Sequence, residues 1–201
     1  MAPFTITLSK TEIDNLDLSN LFKYVEWNNA NFKYFDLEAG KEHYRLLSYF
    51  SKTLKCKKLI DIGTYLGFSA AALSYDSDKI VESYDIYDWF PVDDTITINN
   101  KDNINTYVRN YIDDLAEIIQ DTDFILIDID HSGQTEREIM DKLREIGYKG
   151  IVMLDDIGLN TEMKNFFDEI PEKKIDISAV GHWSKTGIVI FDPSRFEILL
   201  E

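Results

Sequence analysis

From residue 58 onward the chain alternates short apolar runs with segments of helical period, and few architectures accommodate that alternation. Lys58-Leu59-Ile60-Asp61-Ile62 reads as a strand running into Gly63, and Phe68-Ser69-Ala70-Ala71-Ala72-Leu73 begins a helix. Ile80 to Ile86 is a second strand and Phe124-Ile125-Leu126-Ile127 a third. Thr135 to Ile146 has helical periodicity, with Thr135 and Glu138 spaced as a capping box. Ile151-Val152-Met153-Leu154 is again a strand. Strands apolar at consecutive positions are buried on both faces, so the pattern implies an α/β, doubly wound, mostly parallel sheet covered by helices on both sides. The tail differs. Lys173 to Val180 and Thr186 to Phe191 are strand-like, and Gly181-His182-Trp183-Ser184-Lys185 between them leaves no room for a helix. A closing hairpin follows, and its last strand should run antiparallel.

Upstream, Leu46, Leu47, Phe50 and Leu54 recur at helical spacing and predict a helix over about residues 38–54, with an earlier one from about Asn20 to Trp27. The stretch to about residue 55 therefore reads as helical. Pro91 and its Asp/Asn-rich sequel make Phe90 to Thr106 a loop or a short helix. With 201 residues and no linker or repeat, one domain is expected over 38–201, preceded by a helical or irregular extension over 1–37.

A net charge of −16 repels phosphate backbones and anionic membranes, so neither nucleic acid nor a membrane surface is an expected partner; a small neutral or cationic molecule is. No apolar run reaches the roughly 20 residues of a membrane span, and the N-terminus does not resemble a signal peptide. The single cysteine, Cys56, forms no internal disulfide and reads as a packed small hydrophobe, which together suggest a cytoplasmic protein.

Asp61-Ile62-Gly63-Thr64-Tyr65-Leu66-Gly67 lies between a strand and a helix, where open α/β sheets bind ligands. A phosphate-binding loop would need Gly-Lys-Ser/Thr at its end, but Phe68 follows Gly67. A dinucleotide fingerprint would need glycine where Tyr65 stands. An acidic strand end suits a cationic ligand and opposes a pyrophosphate, so Asp61 with the Gly63/Gly67 spacing favours S-adenosylmethionine. Asp85, ending the next strand, suits the two ribose hydroxyls; Tyr87 and Trp89 suit the adenine. Ser69 would serve the ligand carboxylate at a helix start, or act as an ordinary first-turn residue.

With these residues on view, the chain from about residue 38 onward resembles the class I S-adenosylmethionine-dependent methyltransferases. The resemblance rests on Asp-Ile-Gly-Thr-Tyr-Leu-Gly-Phe-Ser-Ala at 61–70, on Asp85 and on the final hairpin. It implies a Rossmann-like, seven-stranded, mostly parallel sheet with an antiparallel last strand. It places Asp61, Gly63, Thr64, Tyr65, Gly67, Ser69, Asp85, Ile86 and Trp89 around the cofactor.

Asp128-Ile129-Asp130-His131 follows the Phe124–Ile127 strand, and Asp155-Asp156 ends the Ile151–Leu154 strand. Adjacent parallel strands bring both ends to one crevice, so four carboxylates and an imidazole should converge there. Like charges so close call for a cation, and an oxygen-rich set suits Mg²⁺, Mn²⁺ or Ca²⁺ better than zinc. The plainer alternative, that loop-end aspartates cap the following helices, fits Asp130 or Asp156 singly better than all four together. The pattern resembles metal-dependent O-methyltransferases of the catechol and caffeoyl-coenzyme A type. His131 stands where that branch has lysine and Asp156 where it has asparagine, which makes the macrocin-type branch, acting on deoxysugar hydroxyls, the nearer likeness. That resemblance implies Asp128, Asp155 and Asp156 as ligands of Mg²⁺ or Mn²⁺, and Asp130 or His131 as the base. It also implies a sugar or glycan acceptor such as rhamnose.

A catechol acceptor, a nicotinamide-dependent oxidoreductase and a non-catalytic interaction module are the alternatives. His43, His182 and Trp183 are either pocket residues or inert. The short N-terminal region leaves little to cover an acceptor, so a homodimer partner or a neighbouring domain of a larger glycan-modifying polypeptide is expected to complete it.

Overall fold

A computed structural model describes residues 2–25, 35, 38–89, 98 and 101–201. Its core is a seven-stranded sheet made of β2 (Lys58–Ile62), β3 (Ile80–Asp85), β4 (Ile104–Val108), β5 (Thr122–Ile127), β6 (Ile151–Leu154), β7 (Lys173–Asp176) and β8 (Gly187–Ile190), in spatial order β4-β3-β2-β5-β6-β8-β7. Pairings from β4 through β6 are parallel, and β8 runs antiparallel to both β6 and β7. The reversed strand is therefore β8, one place in from the edge, with β7 outside it.

The consecutive apolar residues of the central strands divide between the two faces because successive side chains point oppositely. Leu59, Phe124, Leu126 and Met153 pack with α3 (Glu38–Thr53) and α4 (Phe68–Leu73) on one face. Ile60, Ile125, Ile127, Val152 and Leu154 pack on the other with α5 (Leu115–Ile118), α6 (Gln134–Glu145) and α7 (Thr161–Glu169). Strand order reverses at β2, whose neighbours are β3 and β5. At such a switch point the connections diverge to opposite faces and leave a crevice beyond the carboxyl ends of the strands.

Several local expectations are corrected. Phe4–Leu8, inside the stretch expected to be helical, is a strand, β1, paired in parallel register with β9 (Phe196–Leu200). Two short helices follow it, α1 (Lys10–Asp14) and α2 (Phe22–Val25); the rest of the early helix expected up to Trp27 lies outside the described residues. The uncertain stretch ends in strand β4, while 90–97 lie outside the described residues. Thr135 does not cap α6. Gly133 takes that position at φ +73°, and the Ser132 hydroxyl accepts from the amides of Gln134 (3.1 Å) and Thr135 (3.2 Å). The helix α7, capped by Asn160 through the Met163 amide, was not anticipated. No helix among the described residues is long and apolar enough to cross a membrane.

Candidate active site

The loop after β2 begins at Gly63, whose φ is +108°. A Cβ there would lie 1.6 Å from the carbonyl oxygen of Asp128, so this loop runs against the backbone leaving β5. Gly147 also has positive φ (+72°) but open space around its Cβ direction. Gly63→Ala is expected to lower stability by more than about 2 kcal/mol, whereas Gly147→Ala carries only the backbone strain of about 1 kcal/mol. Urea unfolding of the two variants measures the difference, and equal losses would contradict the contact.

Behind the loop, Asp61 is fully buried. Its Oδ2 accepts from the hydroxyls of Ser83 (2.6 Å) and Ser69 (3.1 Å), while Oδ1 is buried with no hydrogen-bond partner. Burial, only partly offset by the two serines and reinforced by the Asp85 charge, pushes the carboxyl up to about 7. An orphaned, buried carboxylate oxygen suits a nearby cationic ligand.

Asp85 at the end of β3 is already engaged. Oδ2 accepts from the Tyr65 amide and the Trp89 indole, both at 3.0 Å, and Oδ1 from the Tyr87 amide at 3.0 Å. A carboxylate offers about four acceptor positions, so these three donors leave about one free. Trp89 packs edge-on to Tyr65 and Tyr87. A cleft of about 380 Å³ is lined by Gly63, Tyr65, Asp85, Ile86, Tyr87, Trp89, Tyr111, Asp128, Ile129, Asp130, His131 and Thr135.

Of the residues expected around a cofactor, Gly63, Tyr65, Asp85, Ile86 and Trp89 therefore face this cleft. The others support it from behind. Thr64 is buried with its hydroxyl 2.7 Å from that of Ser83, and a Cβ on Gly67 would meet Ile98 at 2.2 Å. Ser69 donates to Asp61 from the first turn of the six-residue α4, in keeping with the second of its two expected roles, an ordinary first-turn residue.

Next to the cleft, β5 and β6 deliver Asp128, Asp155 and Asp156. The three histidines of the chain gather on these three carboxylates. His43, from α3, places Nδ1 3.5 Å from Asp155 Oδ1. His131 places Nε2 3.7 Å from Asp128 Oδ1 and 3.3 Å from Asp156 Oδ2. His182, from the β7–β8 connection, places Nδ1 3.4 Å from Asp156 Oδ1 and 3.9 Å from Asp155 Oδ2. Thr186 donates to Asp155 (3.4 Å), and Ser184 to Asp156. Two overlapping sets of potential metal ligands occur among the described residues, His43/Asp128/Asp155 and Asp155/Asp156/His182; within each set the ligand atoms lie within 4.8 Å of one another, and Asp155 belongs to both.

The electrostatics follow from this crowding. Burial and then the Asp155 and Asp156 charges raise Asp128 well above the usual carboxylate range. Burial works to raise Asp156 too, but hydrogen bonds from His182 and Ser184 and the His131 ring hold it below its ordinary value. Asp130 lies in the cleft, where its carboxylate is bound to the turn that leads into α6. It is raised by burial and more than compensated by the Ser132 amide and the Thr135 hydroxyl (3.1 and 2.8 Å), so it sits low. His131 and Asp156 are held at φ +53° and +57°, and Tyr65 at +41°, strained conformations of the kind that gather at functional sites.

Sequence reasoning gave little weight to His43 and His182 and did not single out Tyr111, Ile129 or Glu136. Glu136 is buried on α6 with neither carboxylate oxygen hydrogen-bonded. Nothing in the local pattern distinguishes His43 from an ordinary core histidine; only the packing of α3 on the sheet brings it to β6.

No protein-family model matches the chain, and no curated protein matches its sequence. Solved structures do match in fold. An SAH-bound methyltransferase, PaMTH1, of Podospora anserina aligns with a TM-score of 0.63 at 15% identity, covering 86% of this chain and 87% of that one. An O-methyltransferase of Bacillus cereus in complex with SAH gives 0.55 at 15% identity, covering 86% and 90%. The O-methyltransferase TomG of Streptomyces achromogenes, in complex with SAM, gives 0.56 at 13% identity, covering 86% and 88%. The strand order, the reversed β8 and these likenesses together give the chain the class I S-adenosylmethionine-dependent methyltransferase fold.

Proposed function

We propose that this protein transfers a methyl group from S-adenosylmethionine to a hydroxyl of a small acceptor, a sugar or glycan such as a deoxyhexose, assisted by a divalent ion. The observation that carries the reading is the shared wall between the glycine loop and the aspartate cluster: Gly63 touches Asp128, and both line one cleft. The cofactor loop and one of the three carboxylates suited to a divalent ion, Asp128, therefore face the same space, with Asp155 and Asp156 beside it.

The residues fit both groups. Asp61 has a buried oxygen without a partner behind the loop, and Asp128 is raised by burial and then by the Asp155 and Asp156 charges, a crowding that a cation would relieve. When bound, S-adenosylmethionine supplies a methyl on a positively charged sulfur, and a divalent ion supplies charge that acidifies a nearby hydroxyl. Asp128, Asp155 and Asp156 would hold that ion. His131 is the base we favour, because Asp128 and Asp156 flank its Nε2 and stabilise the imidazolium formed when it takes the hydroxyl proton. Asp130 spends its oxygens on Ser132 and Thr135 and keeps His131 at the rim of the cleft.

The negative charge of the chain favours an uncharged acceptor, and the exposed rings of Tyr87 and Trp183, 61% and 68% accessible, suit the apolar face of a sugar. A second copy or an adjoining domain would complete the acceptor side. Calorimetric titration with S-adenosylmethionine, with and without Mg²⁺ or Mn²⁺, followed by a panel of sugar and catechol acceptors, tests the reading; no binding of the cofactor would overturn it. Asp85→Ala is expected to weaken cofactor affinity by about 10-fold or more, from lost hydrogen bonds to a charged group, and to leave metal affinity unchanged. Unaltered cofactor affinity in that variant would remove Asp85 from the ribose.

A further inference from the structure

We infer that His43 and His182 are metal ligands, so that the centre is a mixed nitrogen–oxygen site selecting a transition-metal dication over Mg²⁺. The inference rests on the proposed reading of Asp128, Asp155 and Asp156 as a metal site, and goes beyond it by adding the two histidines and the class of ion.

His43 is the strongest pointer. The residue is only 4% exposed, yet neither ring nitrogen makes a hydrogen bond. A buried polar group without a partner costs roughly 1–3 kcal/mol, and folds rarely leave one without a use. Its Nδ1 faces Asp155 Oδ1 at 3.5 Å, longer than an ordinary hydrogen bond of about 2.7–3.2 Å. Two donor atoms that each sit about 2.1 Å from one ion stand about 3.0–4.2 Å apart for angles between a right angle and a straight line. The separation fits two ligands sharing an ion better than it fits a hydrogen-bonded pair.

His182 faces Asp155 from the other side, but unlike His43 its Nδ1 already meets Asp156 Oδ1 and the Ser184 hydroxyl, partners it would give up for an ion. Its Nδ1 stands 3.9 Å from Asp155 Oδ2 and 3.4 Å from Asp156 Oδ1, and the two imidazoles have ring centroids 5.6 Å apart. Asp155 thus presents one oxygen to each histidine. A set of three carboxylates alone would suit Mg²⁺, but imidazole ligands favour later first-row ions such as Co²⁺ or Zn²⁺ and are accepted by Mn²⁺, while Mg²⁺ prefers oxygen and retained water. His131 belongs to neither of the two candidate ligand sets and is kept here as the base.

The test uses the full chain stripped with a chelator. Calorimetry with Mn²⁺, Zn²⁺ and Mg²⁺ in turn is expected to give Mn²⁺ and Zn²⁺ affinities at least about 10-fold above that of Mg²⁺. His43→Ala should lower Mn²⁺ affinity by about 10- to 100-fold and change the Mg²⁺ titration little. Pulsed electron paramagnetic resonance of the Mn²⁺-loaded chain should show coupling to nitrogen that weakens in His43→Ala and disappears when His182→Ala is added. His43→Gln, close in shape, accompanies it, with circular dichroism melts to establish that each variant is folded. A Mn²⁺ signal without nitrogen coupling, or equal Mn²⁺ affinity in wild type and folded His43 variants, overturns the histidine assignment and leaves the aspartate reading standing. Failure of every ion to bind overturns both. Metal-free titration with S-adenosylmethionine reports separately on the cofactor cleft.

Discussion

Asp155→Ala should cost more metal affinity than any other single substitution in the site, and with it the metal-supported turnover. Asp155 is the one residue common to both candidate ligand sets, and it is 5% exposed at the end of β6. His43 meets one of its oxygens and His182 the other. Loss of a residue that merely orients a metal ligand costs about 10- to 100-fold in affinity or activity, so loss of a shared ligand should exceed 100-fold. S-adenosylmethionine affinity should not change, because Asp155 does not line the 380 Å³ cleft. Nor should the ion-free chain lose stability through electrostatics: removing one of three crowded carboxylates relieves the repulsion that raises Asp128. Metal titration, turnover with and without excess chelator, and a thermal melt make up the measurement. Full activity in chelator, for wild type or variant, would remove the metal from the reaction.

Asp61→Asn is expected to separate stability from binding. The carboxyl titrates at 3.8 when unperturbed and at about 7 in the folded chain. Between those values the folded state holds a proton that the unfolded state has lost, so this group makes stability fall as pH rises from about 4 through 7. At pH 8 the accumulated penalty is of the order of 4 kcal/mol. Asparagine keeps an acceptor for Ser69 and Ser83 and carries no charge, so the variant should melt higher than wild type at pH 8 and about equally at pH 4. S-adenosylmethionine affinity should rise with pH in the wild type as Asp61 ionises, and stay low and flat in the variant. Parallel melting curves across pH 4–9 would show that Asp61 is not the titrating group.

The remaining results separate what is local from what is not. The strands β2, β5 and β6 were readable because Leu59-Ile60, Phe124–Ile127 and Ile151–Leu154 are apolar at successive positions, as only strands buried on both faces require. β4 was not, since Ile104-Asn105-Thr106-Tyr107-Val108 is an edge strand with one fully buried residue and reads as polar. β1 and β9 were not legible for another reason: their pairing joins residues about 190 positions apart. Thr135 and Glu138 have the spacing of a cap, but Gly133 can take the left-handed conformation that starts α6 one residue earlier, and the Ser132 hydroxyl took over the capping.

The amino-acid sequence by itself determined the central strands of the sheet, the turn at Gly63 and the arrival of Asp128, Asp155 and Asp156 at one end, because parallel strands deliver their carboxyl ends to the same side. Tertiary structure alone decided the rest. It turned Ser69 and Ser83 onto Asp61, put Trp89 on Asp85, and carried His43 and His182 to opposite sides of Asp155. Strand direction is a property of local pattern, whereas which side chains meet across a helix and a hairpin depends on how separate elements pack, and no window of sequence contains both partners.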